Sequence, residues 1–500
     1  MNIKTPTIQI ILFWAVMLLL WIPAFEIVEL EWKLNEQYHF GYFVPLFTLY
    51  LIYQRWLDRP PVSKPLLSSG FLFASIVFVI PIHLVETANP DWRFIYAAAV
   101  LVSLVVTLQL VDQIGGRRWM LHFLPALLMV VFSLPWIMSM EKALTNYLMK
   151  IVSQVTVDII NLSGIYAVQR SHIIELPNGF VGIEEACSGM RSLQSSIMAG
   201  YLFGELLRLN VFKRILLIAC GVAGTFLLNI CRTVALTLVT HYQGTAGYDK
   251  WHDPIGNIAM VVGFGFIILV AWILKGKTES NSGEEKTSPA GTLVFPKTGT
   301  SVTLLLIIAV SFPLDHIWYR QASMDQPRLV LSELPWDRLS PALERLEIHP
   351  LTRAMLKYSE GEQLVWTASD GRIWTCYYFS WDEGRISSHA GVHRPENCMT
   401  AAGLQMTARH PSFTYETQNQ KIEFNHYTFT GYGRVSSVFF TVWQNDGKLN
   451  LSESWNDRIM DAVRRQRVKN RYSLQLIVEN PVSAKDAKHQ LLTILEEVGL

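Results

Sequence analysis

KRILLIACGVAGTFLLNICRTVALTLVT, residues 213–240, is an apolar segment that begins with two cations and holds one arginine, Arg232, near its end. Its uncharged stretch approaches the ~20 residues that an α-helix needs to cross a bilayer. An arginine inside an apolar helix costs roughly 2.5–3.5 kcal/mol on insertion scales and usually has a functional partner. The alternative is that the Arg232 side chain reaches outward to the lipid headgroups. The segment predicts a membrane-spanning helix with a polar site near one end.

Similar apolar runs recur through the first 320 residues and predict a polytopic α-helical membrane protein. Hydrophobic residues make up 50% of the chain, and its mean hydropathy is positive. The net charge of +1 provides no global basic field for nucleic acid, so a nucleic-acid partner is not expected. The predicted spans number about nine: 8–25, 40–54, 69–86, 94–111, 119–139, 189–207, 213–240, 255–274 and 301–319.

Lysines and arginines collect in the loops on one side of these spans, whereas acidic residues dominate the other side. The excess of basic residues on cytoplasmic loops predicts a cytoplasmic N-terminus. Nine spans then put the C-terminal region outside the cytoplasm. The segment 140–188, the end of the 213–240 span and the loop 241–254 share that outer side.

The composition divides the chain into four parts. Residues 1–275 form the predicted main transmembrane domain. Residues 276–300 are rich in Gly, Ser, Thr, Glu and Lys and predict a cytoplasmic linker. Residues 301–319 predict an additional transmembrane helix, and residues 320–500 predict a soluble α+β domain outside the cytoplasm, because they contain alternating strand patterns followed by two helical ones.

Two short elements precede the sixth predicted span on the outer side. Residues 141–163 carry apolar residues at helical spacing, which predicts an amphipathic helix at the membrane surface or against the bundle. Residues 166–183 alternate around a Pro177-Asn178-Gly179 turn, which predicts a small hairpin or strand pair leading into Cys187.

Cys187 lies between a polar run and the start of an apolar helix, in the sequence EEACSGMR that begins at Glu184. A thiol at a helix start near cations has the setting that lowers a thiol pKa and makes a nucleophile. Ser188 and Gly189 suit a helix entry whose free N–H groups bind an oxyanion. The alternative for Cys187 is a small buried apolar residue. The pair Glu184-Glu185 is either part of a solvated turn or a clamp that holds the substrate.

Asn229 and His252 are the remaining candidates on the outer side. Asn229 precedes Arg232 by three residues and shares its helix face, so it can orient the guanidinium or a substrate carbonyl. His252 lies in the loop 241–254, where Asp253 or Asp249 can orient it as acids orient histidines in catalytic triads. The alternative for His252 is an ordinary solvated histidine.

The five cysteines show no C-x-x-C spacing, and no metal ion or other cofactor is expected. Cys376 and Cys398 both lie in the C-terminal domain. They can form a disulfide if that domain is outside the cytoplasm.

These segments together resemble the exosortase/archaeosortase family of polytopic membrane cysteine transpeptidases and proteases. The matching residues are Glu185-Ala186-Cys187-Ser188-Gly189, Asn229-Ile230-Cys231-Arg232 and His252, with Tyr38-His39-Phe40-Gly41 ahead of the second span. The resemblance covers roughly residues 8–275. It implies that Cys187, Arg232 and His252 are the catalytic residues, with Glu185, Ser188, Gly189 and Asn229 in support.

The resemblance also implies a setting and a partner. The setting is the bacterial inner membrane, where the protein has membrane lipids as partners and the catalytic residues lie on the outer side. The partners are exported proteins that end in a Pro-Glu-Pro motif, a transmembrane helix and a basic cluster. The C-terminal region, with His393-Arg394-Pro395-Glu396-Asn397-Cys398, resembles the exosortase-associated domain fused to some members. The oligomeric state, the cleavage site and the acyl acceptor stay open.

Two other functions fit parts of the sequence. A non-catalytic membrane scaffold or transporter component for exopolysaccharide export would use Arg232 and the acidic outer loops to bind an anionic lipid or glycan. An intramembrane serine protease would use Ser188 or Ser192, but the chain lacks a Gly-x-Ser-x-Gly context for either serine.

Overall fold

The computed structural model describes two compact units of the chain. The described residues are 5–90, 92–170, 173–182, 189–276, 295–320, 336–339, 343–348, 352–353, 356, 358–381, 394–401, 404–416, 421–431, 433–444, 455–465 and 471–498. The first unit comprises Met1–Leu84 and Trp92–Asp315, and the second comprises Val85–Asp91 and His316–Leu500.

The first unit is mainly helical. Its helices are α1 (Thr5–Leu34), α2 (Val44–Leu57), α3 (Ser69–Val77), α4 (Val79–Ala88, which runs into the second unit), α5 (Arg93–Gly115), α6 (Arg117–Leu127), α7 (Met138–Leu162), α8 (Met190–Leu206), α9 (Val211–Lys275) and α10 (Thr298–Tyr319). Short 3-10 helices cover Glu36–Phe43 and Leu128–Ser133. Each predicted span overlaps one or more of these helices, because a bilayer selects for apolar segments whose backbone groups pair internally.

Among the described residues, five helical segments are long and apolar enough to cross a membrane. They are Thr7–Lys33, Ser69–Ala88, Arg93–Gly115, Val211–Lys275 and Thr298–Tyr319. The helix α2, with 14 residues, is only ~21 Å long, and α6 gives way to a 3-10 helix soon after Pro125. Several membrane helices are therefore confirmed, whereas the number of nine spans is not.

The helix α9 contains two of the predicted spans, 213–240 and 255–274, as the arms of a hairpin. The only non-helical residue inside α9 is Gly244, with φ +70° and ψ −168°. We refer to residues 211–243 as the first arm and residues 245–275 as the second arm. The predicted loop 241–254 is wrong, because the chain turns at a single glycine, which adopts positive φ at little cost.

Small residues allow the two arms of α9 to approach closely. A Cβ atom on Gly263 would lie 3.2 Å from the Thr225 methyl group, and one on Gly221 would lie 3.3 Å from Ile267. A Cβ on Gly224 would overlap the ring of Phe266. Such contacts between small residues and larger partners are a main source of helix association in a bilayer.

Valine at position 224 should therefore destabilise the hairpin. The Gly224→Val side chain would enter the Phe266 ring, and overpacking of this kind costs about 1–3 kcal/mol. Gly265→Val is the matched control, because a Cβ on Gly265 meets no atom within 4 Å. Thermal unfolding in detergent should show a lower Tm for Gly224→Val than for Gly265→Val, and equal Tm values would contradict the packing of the arms.

A small sheet packs on α9 close to Gly244, as the 166–183 pattern predicted. It consists of β1 (Val168–Arg170), β2 (Ile173–Leu176) and β3 (Gly179–Gly182), in the order β1-β2-β3. The predicted amphipathic helix is also confirmed as α7. Both elements share a core with the first arm, made of Met149, Val152, Val157, Ile160, Ala167, Ile174, Leu176, Val181 and Ile230.

The second unit is β-rich, as predicted. Within its described residues, the sheet has seven antiparallel strands in the order β4-β5-β6-β10-β9-β8-β7. The strands are β4 (Glu344–Leu346), β5 (Glu360–Thr367), β6 (Ile373–Trp381), β7 (Gln405–Glu416), β8 (Lys421–Gly431), β9 (Arg434–Gln444) and β10 (Arg471–Glu479). The helices are α11 (Pro395–Ala401), α12 (Trp455–Val463) and α13 (Ala484–Val498). Leu491 and Leu495 of α13 are fully buried in the core on one face of this sheet.

The predicted disulfide between Cys376 and Cys398 is not formed in the structure, where both residues are thiols. Cys376 is buried in the core that α13 covers. Cys398 is exposed on α11, whose Met399 packs on the core of the opposite sheet face with Phe379. The alternation of side chains along β6 thus directs Cys376 away from α11. Burial raises the pKa of the Cys376 thiol.

Candidate active site

The structure describes four of the seven predicted site residues, Gly189, Asn229, Arg232 and His252, all in the first unit. Cys187, Glu185 and Ser188 lie outside the described residues. Asn229 and Arg232 belong to the first arm of α9, and His252 belongs to the second arm. His252 is thus a helical residue, because the arm starts directly after Gly244.

Arg232 and His252 form a hydrogen bond across the two arms. Arg232 Nη2 lies 2.9 Å from His252 Nε2, and His252 Nδ1 lies 2.9 Å from Asp253 Oδ1. A guanidinium only donates, so His252 Nε2 is the acceptor. The neutral imidazole then carries its proton on Nδ1 and donates it to Asp253. The two hydrogen-bond partners of the imidazole ring therefore determine which of its nitrogens carries the proton.

The described residues around Arg232 leave the Nε–H group of its guanidinium without a hydrogen-bond acceptor. Gly256 of the second arm faces it, and a Cβ at that position would lie 3.3 Å from Arg232 Nη2. Arg232 Nε is buried and has no hydrogen-bond partner within the described part of the chain. Because a buried donor without an acceptor costs about 1–3 kcal/mol, this group is suited to an additional acceptor such as a substrate oxygen.

Asn229 connects Arg232 to the start of α8. Its side chain is buried one helical turn before Arg232. Gly189 caps α8 in the left-handed conformation, with φ +84°. A Cβ on Gly189 would lie only 3.0 Å from Asn229 Nδ2. Both the backbone conformation and the close contact require glycine, which the sequence had marked only as a suitable helix entry.

A buried ionic cluster lies near the same end of the bundle, centred on Arg93 at the start of α5. Arg93 Nη2 donates to Glu31 Oε2 over 3.1 Å, and Arg93 Nη1 donates to Glu141 and, over 3.0 Å, to the carbonyl of Trp136. The side chains of both partners are at least four-fifths buried. The cluster joins α1, α5 and α7.

Amide side chains extend this cluster to α8. Gln37 Nε2 donates to Glu141 Oε1 over 2.7 Å and to Gln194 Oε1 over 3.0 Å. Gln194 Nε2 donates to the Tyr38 hydroxyl over 3.1 Å, and that oxygen also accepts from Trp136 N over 2.9 Å. Gln194 lies five residues after Gly189. The first turns of α8 are therefore fixed at two points, by the contact of Gly189 with Asn229 and by the hydrogen bonds of Gln194.

Sequence reasoning missed most of this cluster. Arg93, at the beginning of the 94–111 span, was a usable signal, because a cation at a span end needs partners. Its acidic partners lie 62 residues before it and 48 residues after it. No local pattern reveals contacts over such separations. Only Tyr38 had been noted, through the family resemblance.

A second charged cluster lies at the other end of α8. Glu205, which is 1% exposed, accepts from Arg55 and, over 2.8 Å, from Arg214 Nη2. Arg208 Nη2 pairs with Asp58 over 3.1 Å. These arginines are among the basic residues that gave the predicted orientation. The helix α8 is thus held by polar contacts at both ends.

Residues 32–271 match the family model described as transmembrane exosortase. Over this segment, slightly less than half of its length, the chain is similar to transmembrane exosortases. The match includes all four described site residues, and the matched segment ends before α10 and most of the second unit. No curated protein and no solved structure gives a significant match.

Loss of the Arg93 charge should destabilise this protein strongly. Arg93→Met leaves two buried carboxylates without a counterion, which typically costs about 3–5 kcal/mol. Glu31→Gln and Glu141→Gln added to Arg93→Met should restore part of the loss. Thermal unfolding in detergent is the measurement.

Arg170→Met is the matched control for Arg93→Met. It breaks the Arg170–Glu175 pair, in which the Arg170 side chain is 63% exposed. Exposed pairs of this kind contribute about 0–1 kcal/mol. If Arg93→Met lowered the Tm no more than Arg170→Met does, the cluster would not be a stabilising element of the fold.

Proposed function

We propose that this protein is a membrane-embedded cysteine peptidase or transpeptidase with Cys187 as nucleophile and Arg232 and His252 as its partners. The hydrogen bond between Arg232 and His252 is the observation that carries the proposal. Cys187 precedes Gly189 by two residues, a separation that covalent geometry limits to about 7 Å between Cα atoms. Since Gly189 contacts Asn229, one turn from Arg232, the contact supports a thiol within reach of both partners.

The His252 tautomer gives the order of proton transfers. His252 Nε2 accepts from Arg232 and is therefore unprotonated at the start. It takes the proton of the Cys187 thiol, and the thiolate then attacks a carbonyl carbon of the substrate. His252 returns this proton to the leaving nitrogen as the C–N bond breaks. The acyl group stays on Cys187 as a thioester and passes to water or to an amine.

Protonation of His252 also changes the role of Arg232. An imidazolium cannot accept the Arg232 hydrogen bond, and the two cations repel each other. The Nη2–H group is then free to donate to the oxyanion that forms on the carbonyl oxygen, together with the unpaired Nε–H. Asp253 accepts from His252 Nδ1 and offsets part of the imidazolium charge.

The dimensions of α9 support a site at the outer membrane boundary. Lys213 Nζ donates to the carbonyl of Leu274 over 2.8 Å at the end of the hairpin opposite Gly244, which the predicted orientation puts on the cytoplasmic side. Arg232 follows Lys213 by 19 residues, which is ~28 Å of helix. This length is close to the ~30 Å of the bilayer hydrocarbon core. The cytoplasmic N-terminus and the bacterial inner membrane, predicted above, agree with this depth.

The substrates in this proposal are exported proteins that end in a Pro-Glu-Pro motif, a transmembrane helix and a basic cluster. The substrate helix would hold the scissile bond at the membrane boundary, so positioning needs no large soluble cleft. With its sorting helix in the bilayer, the substrate enters through surrounding lipid. The second unit would lie on the outer side, where it could meet the exported part of the substrate.

Substitution of the three proposed catalytic residues tests the function. Cys187→Ala, Arg232→Ala and His252→Ala should each reduce processing of a co-expressed substrate by at least about 100-fold, the scale of acid–base and oxyanion contributions. Cys187→Ser should fail as well, because a serine hydroxyl is much harder to deprotonate. Intact-mass analysis of the substrate provides the readout.

Cys231→Ala is the matched control for the thiol. Cys231 is a free, exposed cysteine directly before Arg232, and its loss should leave processing unchanged. Normal processing by Cys187→Ala would exclude thiol catalysis. It would favour the non-catalytic scaffold or transporter component of exopolysaccharide export, in which Arg232 binds an anionic lipid or glycan.

A further inference from the structure

The strand β3 forms one edge of the small sheet that packs on α9. It pairs with β2 in the register Leu176 to Gly179, Glu175 to Phe180 and Ile174 to Val181. On its other side, β3 has no strand partner within the described residues. An edge strand with open backbone groups is a template for the addition of another strand.

The helix α9 packs on one face of β3. Val181 is 3% exposed and shares a core with Ile230 of the first arm. A Cβ on Gly179 would lie 3.6 Å from Thr240, which also belongs to the first arm. Gly179 and Val181 point to the same face of the strand. The described contacts between α9 and the side chains of β3 thus lie on a face of the strand.

The opposite face of β3 is open as well. Phe180 is 61% exposed, and a Cβ on Gly182 would meet no atom within 4 Å. A strand added at the edge would therefore have room for its side chains beside Phe180. The exposed part of this face extends to Gly182, the last residue of β3.

The hydrogen-bonding pattern directs two residues of β3 outward. The turn between β2 and β3 has two residues, so Leu176 and Gly179 form the closing hydrogen-bonded pair. Pairs alternate along an antiparallel ladder. Val181 therefore bonds to β2, whereas Phe180 and Gly182 direct their N–H and C=O groups to the open edge.

The two edges of this sheet differ in charge. The other edge strand, β1, carries Arg170, whose Nε donates to Glu175 over 2.7 Å. Charged residues of this kind protect natural edges against strand addition. The sequence of β3, Gly179-Phe180-Val181-Gly182, contains no charge and no proline. The edge strand that precedes the proposed nucleophile in the sequence is thus the unprotected one.

We propose that the open edge of β3 binds the Pro-Glu-Pro segment of the protein substrate as an additional strand. This inference rests on the proposed function, since β3 ends five residues before Cys187. A bound strand along this edge would direct the following residues of the substrate toward the thiol. The substrate is held by backbone hydrogen bonds to Phe180 and Gly182.

A Pro-Glu-Pro segment can pair with β3 along only one of its own two sides. Successive residues of a strand direct their backbone groups to opposite sides. When the glutamate faces β3 with its N–H and C=O, both prolines face away, where their missing N–H groups cost nothing. The prolines also favour the extended conformation of the residue before them. The bound segment would prevent a further strand from joining the sheet, because the two prolines provide no N–H donors on its outer side.

Photo-cross-linking tests this contact without depending on catalysis. The chain carries Cys187→Ala, so that a co-expressed substrate stays intact, and p-benzoylphenylalanine replaces Phe180. We expect cross-links to the segment around Pro-Glu-Pro. The matched control carries the same group in place of Tyr166, which is 72% exposed and precedes β1. Equal yields at both positions, or none at 180, would overturn the proposal.

Kinetics separate backbone pairing from side-chain contact. Phe180→Pro removes the outward N–H and is tolerated at an edge, whereas Phe180→Ala keeps this group. We expect Phe180→Pro to raise the KM for substrate about tenfold with little change in kcat, and Phe180→Ala to raise it much less. Thermal unfolding shows whether both variants fold.

The outcomes distinguish this proposal from the proposed function. An unchanged KM for a folded Phe180→Pro variant overturns docking on β3 and leaves thiol catalysis intact. Processing by Cys187→Ala overturns thiol catalysis, and the cross-link at position 180 then still decides whether β3 binds the substrate.

Discussion

Arg232 imposes the constraint on which the site depends. Its charge cannot be removed at physiological pH, and its position at the end of an apolar run is costly unless acceptors surround it. The second arm of α9 provides His252 Nε2 at 2.9 Å. This contact exists because the chain reverses its direction at Gly244. Residues of the first and second arms at similar sequence distances from Gly244 therefore lie opposite each other. Arg232 and Gly256 lie 12 residues on either side of Gly244.

The helix α8 connects this hairpin to the rest of the bundle. At its start, Gly189 contacts Asn229, and Gln194 bonds to Tyr38 and Gln37. At its other end, Glu205 is surrounded by arginines. Polar contacts are directional, unlike apolar packing, so they fix both the axial position and the rotation of α8. Gly189 thereby has a defined position relative to Asn229 and Arg232.

Much of the bundle could be predicted because the bilayer imposes simple rules on sequence. Apolar runs marked the helices, and the three-residue spacing of Asn229 and Arg232 put both on one face. The hairpin tip escaped prediction for a physical reason. Polar residues and Pro254 in 241–254 are typical of a loop, but the two arms stay helical up to Gly244 and pack on α7 and the small sheet. Tertiary packing there outweighs local propensity.

Long-range contacts set the other limit of prediction. Glu31, Arg93 and Glu141 come from three separate helices, and nothing local distinguishes a buried carboxylate from one in a solvated loop. The same holds for Cys376 and Cys398, since spacing alone does not reveal that α11 packs on the sheet face opposite Cys376. Family resemblance contributed the triad of Cys187, Arg232 and His252. The geometry of the α9 hairpin adds the tautomer of His252 and the free donor of Arg232.

Trapping of the acyl-enzyme tests the central claim most directly. The protein would be mixed with a substrate that carries the sorting signal, quenched in acid within the first turnover, and analysed by intact mass and peptide mapping. The account predicts an adduct of the substrate's acyl portion on Cys187, released by neutral hydroxylamine as expected of a thioester. Cleaved substrate with no adduct on Cys187, or with an adduct on a serine, would contradict it.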